Sequence, residues 1–287
     1  MQSSVLTLVR GRKAQLTRLM AGLALQDSKP AELVIAWMQP EPHQDLPDPG
    51  CPVRHVMVEG EALPLAKARN RAAEAATGNF LIFLDVDCIP GPGLISAYER
   101  AGRANDGLFL GEVFYLPPAA AEGDLDFAKL DRLGVPHPSK PPMPSSGVRP
   151  EPDVGQLWGL SFALTRRSYF AVGGMSELFE GYGGEETDFA TRLGVSGLPF
   201  LWTTGARCYH QHHPISAPPL QHFDAILRNA TLFHQRHGRW CMDYWLGQFQ
   251  DLGLIAWTVD APEIALLRQP THTEMSAAAA NADRVFS

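Results

Sequence analysis

A run of five apolar residues, Phe80-Leu81-Ile82-Phe83-Leu84, breaks directly into Asp85-Val86-Asp87, and no other feature constrains this chain so tightly. A short, uninterrupted apolar run bounded by turn residues reads as a strand buried on both faces, as in a parallel sheet covered by helices. Two aspartates separated by one residue leave an extended strand on the same face. Like charges held that close repel, and the usual remedies are a shared proton or a bound cation. Ligands of α/β proteins sit beyond the carboxyl ends of the sheet strands, so a divalent cation is the more useful remedy at this place. Mg2+ or Mn2+ held by one or two carboxylates would complete its shell with phosphate oxygens. The competing reading, in which Asp85 opens a turn toward Ile89-Pro90-Gly91 and Asp87 is simply solvated, is weakened by the apolar run before the pair.

Around that strand the first half of the sequence alternates β-rich runs with helical patterns, which predicts an α/β fold with a parallel or mostly parallel sheet. Val5–Val9, Glu32–Met38 and Val53–Val58 read as strands. Lys13–Leu25 reads as a helix with Leu16, Leu19, Met20 and Leu23 on one face, and Leu65–Ala76 as an Ala-rich helix closed by Gly78. A strand at Leu108–Leu116 and a short helix at Asp124–Leu133 come next. Pro136–Pro152 is crowded with Pro, Ser and Gly and has no periodicity, which marks a surface loop or a lid. Structure resumes at Gln156–Leu164 and Arg166–Ala171, followed by a helix from about Glu185 to Leu193. Strands at Pro199–Trp202 and Ala206–Tyr209 precede helices at Gln221–His237 and Cys241–Leu252. The polar, Ala-rich stretch Thr271–Ser287 reads as a loose tail.

Composition narrows the function classes. A formal net charge of -7 argues against non-specific binding to nucleic acid, which needs a basic surface. No run approaches the roughly 18 apolar residues that span a bilayer, although peripheral association with a membrane stays open. Met1–Val9 is too soon interrupted by Arg10, Arg12 and Lys13 to be a signal peptide. Cys51, Cys88, Cys208 and Cys241 form no CxxC pair and read as reduced thiols, so the expected location is the cytoplasm.

Three further stretches carry chemistry. Lys67, Arg69, Asn70 and Arg71 lie on the helix before the Asp-containing strand. A solvated face accounts for Lys67 and Arg71, but Asn is a poor mid-helix residue without a specific partner. Arg69 and Asn70 are therefore candidates to meet a nucleotide, with Arg10 a second candidate for phosphate or base. Gly181-Tyr182-Gly183-Gly184 then turns tightly into Glu185 and Glu186 on the first turn of a helix. Acidic residues stabilise a helix N-terminus by themselves, yet that explains neither the paired glycines nor the carboxylate pair. One of these carboxylates could accept a proton from an attacking hydroxyl. Finally, His210, His212 and His213 are ready ligands for a transition metal, against a plainer reading as hydrogen-bonding loop residues.

These pieces in this order resemble the GT-A glycosyltransferases, particularly family 2-like bacterial enzymes and galactosyl- and N-acetylgalactosaminyltransferases. The resemblance rests on Leu65-Ala66-Lys67-Ala68-Arg69-Asn70, Asp85-Val86-Asp87, Gly181-Tyr182-Gly183-Gly184-Glu185-Glu186 and His210, and spans roughly residues 3 to 214. It implies a Rossmann-like GT-A catalytic domain over residues 1–217, a helical extension over 218–270 packed on it, and a tail over 271–287. It implies Mn2+ or Mg2+ on Asp87 and His210, with His212 and His213 as further candidates. Asp85 would contact ribose or uracil, and Val9, Arg10, Arg69, Asn70 and Val86 would line the nucleotide. Glu186 falls where inverting relatives keep their base, with Glu185, Tyr182, Gly184 and Trp158 toward the sugar or acceptor. Tyr182 stands where relatives commonly have Trp, and Glu186 is one methylene longer than the frequent Asp. The implied reaction moves a sugar, UDP-linked by the Gly-Gly-Glu-Glu likeness, from a nucleotide donor to a glycan or other hydroxyl acceptor.

Two rival readings accompany it. A sugar-1-phosphate nucleotidyltransferase would need a better phosphate loop than Val9-Arg10-Gly11-Arg12-Lys13. A non-catalytic partner could dock through Trp240, Tyr244, Trp245 and Phe249, which helical packing over the sheet explains more simply.

Overall fold

A computed structural model describes residues 1–60 and 63–279. Four parallel strands, β1 (Ser3–Val9), β2 (Glu32–Trp37), β3 (Val53–Met57) and β4 (Phe80–Leu84), lie in the order β3-β2-β1-β4. Helices α1 (Lys13–Ala24) and α2 (Leu65–Ala75) cover opposite faces of this half. The alternation of the strands sorts the core. Val5, Val9, Leu33 and Ile35 pack with Leu16, Leu19 and Leu23 of α1. Leu6, Leu8, Val34 and Ala36 pack with Ala66, Ala68, Ala72 and Ala73 of α2. The small side chains of α2 let it lie close to the sheet, which brings Arg69 and Asn70 on the same helix near the strands' carboxyl ends.

The chain continues through β5 (Cys88–Pro90), α3 (Leu94–Ala104), β6 (Leu108–Tyr115), α4 (Phe127–Leu133), β7 (Val135–Pro136), β8 (Val148–Glu151), β9 (Ser161–Thr165), α5 (Arg166–Ala171), α6 (Glu185–Val195) and β10 (Phe200–His210). Beyond β4 the sheet runs through β9, β6 and β10 to β5. β9 is antiparallel to β4 and β6, and β10 is parallel to β6 but antiparallel to β5. One consequence matters for function: the β10–β5 register pairs His210 with Cys88 and so sets His210 beside Asp87.

Several expectations are corrected. The strand ends at Leu84, and Asp85-Val86-Asp87 forms a tight turn closed by the Cys88 amide donating to the Asp85 carbonyl at 2.9 Å. The two aspartates therefore do not share a strand face. Pro199–Trp202 and Ala206–Tyr209 belong to one strand, whose pairing with β6 is interrupted between Trp202 and Arg207. Pro136–Pro152 is not wholly loop, because β7 and β8 at its ends join β6 and β10.

The C-terminal part contains α7 (Phe223–His237), α8 (Asp243–Asp251), the hairpin of β11 (Ile255–Ala256) and β12 (Ala265–Leu266), and α9 (His272–Ala279). These elements share a core of their own that includes Phe223, Ile226, Trp240, Leu246 and Phe249. Burial of Trp240 and Phe249 removes them from any docking face, while Tyr244 alone of the four is well exposed. The supposed tail is also corrected as far as Ala279. Thr271 Oγ1 accepts from the Glu274 amide at 3.2 Å, and the Glu274 carboxylate accepts from the Thr271 amide at 2.8 Å, a capping box that starts α9. Ala278 is buried against the same core. Residues 280–287 lie outside the described part. No helix among the described residues is long and apolar enough to cross a membrane.

Candidate active site

The turn after β4 presents Asp87, which is only 4% exposed, to groups from two other segments. His210 Nε2, at the end of β10, lies 3.5 Å from Oδ1, and His213 Nε2 lies 3.3 Å from Oδ2. The Gln211 amide donates to the Asp87 carbonyl at 2.7 Å and ties the histidine segment to the turn. Arg12 ion-pairs with Asp87 from the β1–α1 turn, where its backbone takes the left-handed conformation (φ 54°, ψ 38°). Burial works against ionisation of Asp87. The imidazoles of His210 and His213 and the Arg12 guanidinium outweigh it and hold the carboxyl well below the usual range. Burial also keeps His210 below the ordinary imidazole range despite the pull of Asp87, which favours the neutral, metal-binding form.

Asp87, His210 and His213 offer ligand atoms that all lie within 4.8 Å of one another. One carboxylate and two imidazoles form a mixed oxygen and nitrogen set that fits a divalent transition ion. His212 stands outside this trio, and its Nε2 is buried with no hydrogen-bond partner among the described residues.

On the other side of the crevice, the glycine-rich turn is clamped before α6 begins. The Gly181 amide donates to the Leu63 carbonyl at 3.0 Å. Asn229 of α7 donates its side-chain amide to the carbonyls of Glu180 at 3.0 Å and Gly183 at 2.7 Å, and Arg228 also donates to Glu180. Gly184 caps α6 at φ 90°, and a Cβ there would stand 3.0 Å from the Phe179 ring, so only glycine fits. Asp188, fully buried one turn later, binds Arg192 at 2.8 Å and His237 at 3.0 Å, locking α6 to α7.

This clamp fixes Glu185 and Glu186 against Arg69 of α2. The Arg69 side chain is buried; it lies 3.1 Å from Glu185 and also pairs with Glu186, which keeps 23% of its side chain exposed. Burial pushes the Glu186 carboxyl up to about 7, helped by Glu185 and Asp85 and opposed by Arg69. Asp85 is half-buried and is raised to about 6 by burial and by Asp87, against Arg69 and Arg12. The crevice thus joins an ionised, cation-ready carboxylate to one poised to exchange a proton near neutrality.

Several expected nucleotide contacts are displaced. The Asn70 amide donates to the Met175 carbonyl and Glu177, and its oxygen accepts from the Met175 amide and Tyr169, so it is saturated as a brace for the Gly173–Met175 turn. The Val9 and Val86 side chains are core, and the Val9 carbonyl accepts from the Met38 amide. Arg69 is engaged by two carboxylates instead of facing an open phosphate site. Gly184 acts as a helix cap with no side chain toward a sugar. Tyr182 is no open platform, since its ring stacks on His222 at 4.5 Å and leans on Trp245. Arg10 is exposed at the end of β1, and Trp158 is half-buried beside Gly159.

Three residues escaped the sequence reading: Arg12, Asn229, and Lys140, whose Nζ lies 3.3 Å from the Trp158 ring centre. Only Arg12 carried a usable signal, as an arginine directly after a glycine at the end of the first strand.

Residues 41–116 match the sequence model of glycosyl transferase family 2, and residues 145–214 match the model described as the N-terminal domain of galactosyltransferase. Together the two segments carry both sides of the crevice. The chain is glycosyltransferase family 2-like. Validoxylamine A glucosyltransferase of Streptomyces hygroscopicus subsp. jinggangensis is 23% identical over 207 residues, which cover 64% of this chain and 47% of that protein. The chain thus spans about half the length of that relative. Among solved structures, a fragment of S. aureus TarS superposes with a TM-score of 0.55 at 14% identity, covering 80% of this chain and 64% of the fragment. GalNAc-T7, solved with UDP, GalNAc and Mn2+, gives 0.55 at 16% identity, over 83% of this chain and 51% of its own. The fold is that of the GT-A glycosyltransferases.

Proposed function

We propose that the chain is an inverting glycosyltransferase that takes a UDP-linked sugar and a divalent cation and transfers the sugar to a hydroxyl acceptor. The observation that carries this reading is the pairing within one crevice of the Asp87, His210 and His213 trio with Glu186 held by Arg69. UDP and Mn2+ bound to a GT-A neighbour support the choice of donor and ion. Among cations, two imidazoles favour Mn2+ over Mg2+, which prefers oxygen donors. Held by Asp87, His210 and His213, the ion would supply charge neutralisation to a departing diphosphate.

The chain's own residues do the rest. Glu186 removes the proton from the acceptor hydroxyl as its oxygen bonds to the anomeric carbon. The bond from that carbon to the phosphate oxygen breaks on the opposite side, so configuration inverts. Arg69 sets the orientation of Glu186 and, through Glu185, the start of α6. Arg12 is 38% exposed on a flexible stem, and the diphosphate can take its guanidinium from Asp87. Asp85 meets the nucleoside.

The test is a panel of UDP- and GDP-sugars incubated with Mn2+ or with excess EDTA. Slow release of UDP that stops in EDTA is the expected result. Formation of UTP or GTP and a sugar 1-phosphate on addition of pyrophosphate would replace transfer with nucleotidyl chemistry, and undiminished activity in EDTA would remove the cation.

A further inference from the structure

Next to Glu186 the structure holds a cavity of about 440 Å3 that none of these roles uses. β6 forms one wall, the Trp158-Gly159-Leu160 segment another, and Pro136–Met143 closes it. Gly159 links the cavity to the chemistry: a Cβ there would overlap the Glu186 carboxylate, so the proton acceptor lies directly against the cavity wall. The lining is mostly aromatic and apolar, with Tyr115, His137, Trp158 and Trp202 contributing rings.

The charges in the lining are unequal. Glu112 is already paired with Arg207 at 2.7 Å. Lys140 has no carboxylate within ion-pair distance among the described residues. Its amino group rests on the Trp158 ring and donates to the Gln156 carbonyl at 2.8 Å and to the Gln156 side chain at 3.3 Å. Burial pulls Lys140 down to about 6, although Glu186, Asp153 and Glu151 draw it upward. With only neutral groups around it, the Lys140 amine gives up its proton near neutrality, and an anion bound beside it would favour the charged form again. An anion brought into such a low-dielectric space would be bound more strongly than at a surface. A neutral ligand would leave Lys140 uncharged.

We propose that this cavity is the acceptor subsite and that it takes a hydroxyl compound carrying an anionic group, a carboxylate or a phosphate, which Lys140 binds. The proposal rests on the glycosyltransferase reading, because it assigns the cavity through Gly159 of its wall, which packs against Glu186. Lys140 then acts as the residue that selects charged acceptors over uncharged ones, and the ring walls hold the body of the compound with its hydroxyl toward Glu186.

The experiment uses the full chain. UDP with Mn2+ is titrated first, and then, at saturation, glucose, glucuronate and glucose 6-phosphate are titrated separately by calorimetry. At least one charged sugar should bind about tenfold more tightly than glucose, the scale of one well-placed charge contact. The two charged probes separate a carboxylate site from a phosphate site. Lys140→Met should abolish the preference and Lys140→Arg should keep it, with melting temperatures confirming that both fold. Equal affinity for the three sugars in the wild type overturns the proposal, as does binding of none of them, and these results stand even if Lys140→Met is unstable. A preference that survives in folded Lys140→Met overturns it too. UDP that binds without any charge preference sinks this inference alone, whereas absence of UDP binding sinks the glycosyltransferase reading and this one with it.

Discussion

Asp87 and Glu186 are both carboxylates shielded from water, and each is paired with an arginine, yet they are driven in opposite directions. Burial raises the proton affinity of both. The difference lies in how many charges share each neighbourhood. Around Asp87, Arg12 and two imidazoles face that carboxylate and outweigh the neighbouring Asp85. Around Glu186, one guanidinium is divided between Glu185 and Glu186 with Asp85 nearby, so negative charge is in excess. Local charge balance, more than depth, decides which carboxylate is a permanent anion and which can exchange a proton. The first property suits a metal ligand and the second a general base.

The largest effect should come from Glu186→Gln, which keeps the shape and removes the base. Transfer should fall by about 10²–10⁴-fold, while titration of UDP with Mn2+ stays at the wild-type affinity. Turnover near the wild-type rate in this variant would break the comparison on its proton side. Asp87→Asn should do the reverse, weakening Mn2+ binding to the apo chain by at least about tenfold, as even outer-shell changes do at metal sites. Calorimetry checks this without any turnover, and unchanged Mn2+ affinity would break the other side.

What could be read in the sequence follows from how local each signal was. The apolar run before Asp85 and the small-residue face of α2 are contiguous patterns, so the parallel half of the sheet was legible. Gly183-Gly184 before Glu185-Glu186 was legible for the same reason. Arg69 meets Glu185 across 116 residues and Arg12 meets Asp87 across 75, and no local pattern reports such pairings. Asn70 was rightly singled out as needing a partner, but its partners are the Met175 backbone, Glu177 and Tyr169. β7 and β8 are too short to show a period. The start of α9 is a different case: Thr271 and Glu274 have capping-box spacing, which the Ala-rich composition after them masked.

Arg69 allows the charge-balance argument to be sharpened. Since Glu186 must be ionised to accept a proton, the rate should climb about tenfold per pH unit below roughly 7 and level off above it, following the carboxyl at about 7. Removing Arg69 takes away the group that opposes this upward shift. Arg69→Met should therefore move the rise of the pH–rate profile to higher pH. It should also destabilise the chain by about 3–5 kcal/mol in urea unfolding, the usual consequence of orphaning a buried ion pair. A profile that stays in place would mean that Arg69 does not set the proton affinity of Glu186.

The smallest expected effect separates the two sides mechanically. Asn229 holds the turn before α6 through the carbonyls of Glu180 and Gly183, and it touches neither Asp87 nor the histidines. Asn229→Ala removes a donor from those part-buried carbonyls, of which Glu180 keeps Arg228, and should lower stability by about 1 kcal/mol. The released turn should loosen Glu185 and Glu186 relative to Arg69, so the turnover number falls modestly. Mn2+ affinity should not change, because Asp87 is fixed by the β4 turn and by the pairing of β5 with β10. A parallel loss of Mn2+ affinity in Asn229→Ala would mean that the two sides are one mechanical unit, with the C-terminal helices supporting the cation site as well as the base.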